Sequence, residues 1–127
     1  MTASTQSEAC SPVLTKEDRS LRLQIKKAFT TEDLIAYVYV EKVERKNEEY
    51  NAHLRVLESF KGDVKLFETG WRPECCMCDY QFKEHTVHLI YASKYEEFWS
   101  IWEFGPSKEL KWVEAKDLKY LNKYRDH

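Results

Sequence analysis

Between Leu34 and Phe60 the chain reads LIAYVYVEKV, ERKNEE, YNAHLRVLESF: two β-branched and aromatic runs around a short charged link. Such residues suit a pleated surface with at least one buried face. The short link favours antiparallel pairing of the runs, because parallel neighbours need a long crossover. Three further runs come after them, VKLFETG, EHTVHLIYAS and FWSIWEF, with KGD and KYEE as the charged turns among them. In the second run Tyr50, Ala52, Leu54 and Val56 alternate. The phase then breaks at Leu57 before Phe60, as it does at a β-bulge.

Five short-linked strands with a bulge are enough to close a small antiparallel barrel of the oligonucleotide/oligosaccharide-binding (OB) type, which leaves no sheet edge. Helical patterns flank them. TKED, from Thr15 to Asp18, has the form of a capped helix start. Leu21, Ile25, Ala28 and Phe29 then recur at helical spacing and make one apolar face. At the other end Gly105 and Pro106 punctuate the chain, and Ser107 is placed to cap a helix beyond them. Leu110, Val113, Leu118, Leu121 and Tyr124 suit that amphipathic C-terminal helix. The expected fold is therefore mainly β, a five-stranded OB-like barrel with one helix before it and one after. Residues 1–9 read as a flexible tail and residues 10–127 as one domain.

The 127 residues suffice for one core without obligatory staples. A hydrophobic content of 43% with 33% charged residues excludes a disordered chain. Net charge −2 supplies no field for nucleic acid or anionic lipid, and no apolar run is long enough to span a bilayer. Trp71, Trp99, Trp102 and Trp112, which a basic groove could turn into base-stacking platforms, read as core and rim residues instead. His53 reads as a solvated strand residue. No nucleophile–base pair or phosphate-binding glycine loop is present, so the expectation is no enzyme and no cofactor.

PECCMCDYQF, residues 73–82, concentrates Cys75, Cys76 and Cys78, and the fourth cysteine is Cys10. Three chemistries suit such thiols. Cys75, Cys76 and Cys78 could bind zinc or copper, although a zinc site needs further ligands at matching spacing. The available candidates are Cys10, His85 and His88, and the two histidines stand on opposite faces if both lie on a strand. A redox C-x-x-C needs a helix N-terminus to lower a thiol pKa, and here the flanks are strands. The third possibility is a disulfide from Cys10 to one of the three. It would close a loop of up to roughly 68 residues and contribute ~4 kcal/mol in the chain-entropy model.

The fragments CSPV (Cys10 to Val13), AF (Ala28, Phe29), DLIAYVYVEKVE, ESFKGD, the cysteine before YQFKEHTVHLIYA, and LNKYR (Leu121 to Arg125) fall in one order along nearly the whole chain. In that order the sequence resembles the N-terminal, netrin-like domain of the tissue inhibitors of metalloproteinases, in particular their short bacterial relatives. The resemblance implies a five-stranded barrel with flanking helices, and a binding role without catalysis. It implies a secreted, periplasmic or cell-surface protein whose signal peptide has been removed, since MTASTQSEAC itself has no signal-peptide pattern. It implies a disulfide from Cys10 to Cys78; Cys76 is the rival partner on spacing, since that choice leaves Cys75 and Cys78 as a C-x-x-C pair. The inhibitory edge would be Cys10, Ser11, Pro12 and Val13, with the amine and carbonyl of a leading cysteine chelating the protease's zinc. The expected partner is a protein, a metalloprotease in that family, with neither nucleic acid nor membrane insertion. In this sequence nine residues precede Cys10, so its nitrogen is an amide. The family's second N-terminal cysteine is missing, and Trp102 stands about where that cysteine's partner would fall.

Overall fold

In the computed structural model, which describes residues 20–71, 80–102 and 105–125, the two long runs form one hairpin. Strand β1 (Leu34–Lys46) and strand β2 (Glu49–Lys61) pair antiparallel around a tight turn. Asn47 holds φ +61 there, a left-handed conformation that its short polar side chain tolerates. The register steps from Tyr37↔Glu58 to Val38↔Val56, so Leu57 is an extra residue at the predicted break. A second step leaves Phe60 unopposed in the same way, between Ile35↔Lys61 and Ala36↔Ser59.

Strand β3 (Leu66–Trp71) pairs with β2, β4 (Val87–Tyr95) pairs with β1, and β5 (Phe98–Ser100) pairs with β4, all antiparallel. The ring closes between β3 and β5, and that pair runs parallel. A ring of five strands cannot alternate direction all the way round, so one parallel seam is unavoidable. It is narrow: its register contains one pair, Thr69↔Trp99, and the Thr69 hydroxyl donates to the Trp99 carbonyl at 3.0 Å.

The last strand run is shorter than FWSIWEF suggests. Strand β4 exposes one edge of limited length, and β5 takes only its end, Ser93 to Tyr95. The start of that edge, His88 and Leu89, pairs instead with a short sixth strand, β6 (Lys108–Glu109). The fourth strand also begins later than EHTVHLIYAS suggests. His85 sits in the preceding turn at φ +64, where it bonds the Tyr39 hydroxyl at 2.9 Å.

Helix α1 (Leu21–Thr31) precedes the ring and α2 (Ala115–Tyr124) comes after it. Ser20 caps α1, its hydroxyl accepting from the Leu23 N–H, whereas TKED lies outside the described residues. Helix α2 is not capped by Ser107. That hydroxyl is buried and accepts from the Tyr91 N–H at 2.9 Å, fastening the chain to β4. Leu110–Trp112 makes a 3₁₀ turn, and α2 then starts from a capping box between Glu114 and Asp117.

Two cores share β1. Leu34, Ala36, Val38 and Val40 point into the barrel with Ala52, Leu54, Phe67, Ile90 and Ile101. Ile35 faces the other way, with Leu89 and Tyr91 of β4, and meets Ile25 and Ala28 of α1 and Leu121 of α2. This double burial is why the strand opens with an unbroken apolar triplet before alternation begins.

Candidate functional site

The residues expected to carry function, Cys10, Ser11, Pro12, Val13, Cys75, Cys76 and Cys78, lie outside the described residues. The structure does describe what anchors the cysteine-bearing connection between β3 and β4. Trp71, the last residue of β3, is buried, stacks on Tyr50 at 5.6 Å and meets Phe82 at 6.1 Å. Tyr80 meets the same Phe82 at 5.0 Å, and its N–H donates to the Ile101 carbonyl at 2.9 Å. The two described residues bracketing the connection are thus tied into one aromatic cluster at one end of the barrel.

Beside them lies a polar network centred on one buried histidine. His88 is 4% exposed and packs edge-on against Phe82 at 4.9 Å. The Thr86 hydroxyl donates to the Lys83 carbonyl at 2.5 Å, which uses its only proton. It therefore accepts from His88 Nε2–H at 2.8 Å. That leaves Nδ1 without a proton, and it accepts from the Tyr80 hydroxyl at 2.8 Å. The imidazole is neutral, satisfied on both nitrogens and fixed in one tautomer. Burial pushes its pKa down to about 4, against a smaller opposing pull from the Glu109 carboxylate. Burial likewise pushes the Tyr80 phenol up. A neutral donor–acceptor chain of this kind positions residues. It holds Tyr80 against β4, two residues after Cys78.

His53 lies on the outer face of the hairpin, as its place in the alternation indicates. Its Nε2 stands 2.5 Å from Glu44 and its Nδ1 3.5 Å from Glu68. The hydrogen bond from His53 holds the Glu44 carboxyl below the ordinary carboxylate range. Among the described residues no group of three His, Cys, Asp or Glu side chains is arranged to hold a metal ion, and no described helix is long and apolar enough to cross a membrane.

Trp71 is in the core and Trp99 is half-buried, its ring 5.0 Å from Phe67, while Trp102 and Trp112 stand at the surface. The Tyr80–His88–Thr86 network was not predicted. The one signal for it was a histidine at an alternation position that points into the protein, where only a neutral, bonded ring fits. No family model matches the chain, and no curated protein matches it.

Proposed function

We propose that this protein is an exported, non-enzymatic binding module resembling the metalloproteinase inhibitors, which offers Cys10, Ser11, Pro12 and Val13 to the cleft of a metalloendopeptidase. The observation that carries the reading is the architecture: a closed five-stranded ring with a helix on either side, the scaffold that the sequence resemblance implies. The anchoring of Trp71 and Tyr80 around Phe82 supports it further, because a presented edge needs its attachment points held rigidly. In this reading a Cys10–Cys78 disulfide joins the edge to the β3–β4 connection, and the free amine of a chain beginning at Cys10 is the zinc-binding form.

Inhibition assays on a panel of metalloendopeptidases test this, using the chain as written and a form trimmed to begin at Cys10. The trimmed form is expected to inhibit at least one enzyme, and the untrimmed form far less, since an amide nitrogen does not ligate zinc at neutral pH. Failure of both forms across the panel removes the inhibitor reading. Peptide mapping without reductant is expected to recover Cys10 joined to Cys78; Cys10 recovered as a free thiol from oxidised protein removes the disulfide.

A further inference from the structure

On the opposite side of β4 from the barrel interior, a cavity of about 530 Å³ opens between α1 and the turn at 105–107. Its apolar lining is Leu23 and Ala28 of α1, Tyr91, Trp102 and Pro106, and Gln24, Lys27, Thr31, Glu32 and Ser107 supply the polar part. The volume lies in the range of small-molecule sites. Three of its polar side chains are committed within the protein. The Ser107 hydroxyl holds the Tyr91 N–H, and the Thr31 hydroxyl donates to the Lys27 carbonyl at 3.1 Å. Glu32 accepts from the Ser93 hydroxyl, and burial raises its carboxyl pKa, partly offset by that bond and by the nearby cations of Lys61 and Lys27.

Lys27 is different. Its ammonium is exposed at the cavity wall and makes no ion pair or hydrogen bond among the described residues. A cation with no direct ion pair or hydrogen bond, beside apolar and aromatic groups and coupled to Glu32 only through its field, favours an amphipathic anion. The nearby Glu32 carboxylate disfavours a doubly charged ligand, which points away from phosphate esters and towards a single carboxylate. We propose that this cavity binds small monocarboxylates with an aromatic or aliphatic body, the carboxylate on Lys27 Nζ and the body against Tyr91, Trp102 and Pro106. The site is independent of the Cys10–Val13 edge and stands whether or not protease inhibition does.

Titration of ¹⁵N-labelled protein with 4-phenylbutyrate, and separately with its neutral amide, tests the proposal. A dozen ligand heavy atoms at ordinary efficiency give a dissociation constant on the order of 1 mM, within reach of shift titration. The acid is expected to shift the amides of α1 and of residues 105–107 saturably and to bind roughly five-fold tighter than the amide. Lys27→Gln, a change at an exposed helix position, is expected to abolish that preference while leaving the spectrum otherwise native. Equal binding of acid and amide to the unaltered protein overturns the assignment. So does a saturable response centred elsewhere, or no saturable response up to tens of millimolar.

Discussion

Lowering the pH should destabilise this protein through His88 before most of its carboxylates are protonated. An imidazole in the unfolded chain titrates near 6.5; in the fold His88 does so at about 4, because burial disfavours its charged form. Between those values the unfolded chain holds a proton that the folded protein lacks. Stability is therefore fully present above about pH 6.5, falls as the pH drops toward 4, and changes no further on this account below it. The full gap corresponds to roughly 3 kcal/mol. His88 also borders a second, more open pocket with Gln81, Glu109 and Trp112, where water moderates the penalty, so about 2 kcal/mol is the expected loss. Urea denaturation at pH 7.5, 6.0, 5.0 and 4.2, for the unaltered protein and for His88→Gln, isolates this contribution from the carboxylates common to both. The glutamine variant should start less stable and lose about 2 kcal/mol less across the series. Parallel curves for the two proteins, or an NMR titration placing His88 above pH 6, would refute the reasoning.

Three further substitutions probe the frame around the two cores. Gly62 holds φ +91 in the β2–β3 turn, and a Cβ there would stand 2.6 Å from the Asp33 carbonyl oxygen; Gly62→Ala should cost about 2 kcal/mol or more by chemical denaturation, because the obstacle is backbone and cannot swing aside. Asp117 is fully buried, 2.6 Å from Lys108 Nζ, and also accepts the Glu114 N–H at the start of α2. Asp117→Ala should cost about 3 kcal/mol, the low end for a broken buried pair, since Lys108 is partly exposed and can be rehydrated; a loss under 1 kcal/mol counts against it. The Tyr91 hydroxyl is buried with no partner among the described residues, so Tyr91→Phe should be neutral or stabilising by up to about 1 kcal/mol, and a clear drop in melting temperature would show that the hydroxyl is bonded.

The barrel was legible because alternation is a local signal. Tyr50, Ala52, Leu54 and Val56 announce their faces without knowledge of a partner, and even the extra residue at Leu57 leaves a visible change of phase. What the pattern could not show is which residues share an edge. FWSIWEF is uniformly strand-like, yet β5 ends at Ser100 because the rest of the β4 edge belongs to Lys108 and Glu109, and that allocation depends on contacts distant in sequence. Ser107 misled for a related reason: a hydroxyl after Gly-Pro suits a helix cap, but a buried backbone N–H at Tyr91 claimed it. The helix-side cavity left no trace either, since Lys27 and Trp102 are ordinary surface residues until folding sets them at one opening. The cysteine pattern, the loudest motif in the sequence, lies in a part of the chain outside the described residues.

The single-pair seam between β3 and β5 has a consequence for how the molecule assembles and breathes. The hairpins β1–β2, β2–β3 and β4–β5 join neighbours along the chain, and such local pairings form early because little chain entropy is lost in closing them. The seam joins Thr69 to Trp99, thirty positions apart, and the return is one ladder pair, one side-chain hydrogen bond and the Phe67–Trp99 contact. Closure there is expected late in folding, and its rupture should be the least costly way to open the ring. Amide hydrogens of Phe98–Ser100 should exchange with solvent well before those of Ala36–Tyr39, a stretch paired on one side with β2 and on the other with β4. The barrel is in effect a sheet wrapped around its first strand and latched at its far ends, and one side of the latch is β3, the strand from which the cysteine-bearing connection departs.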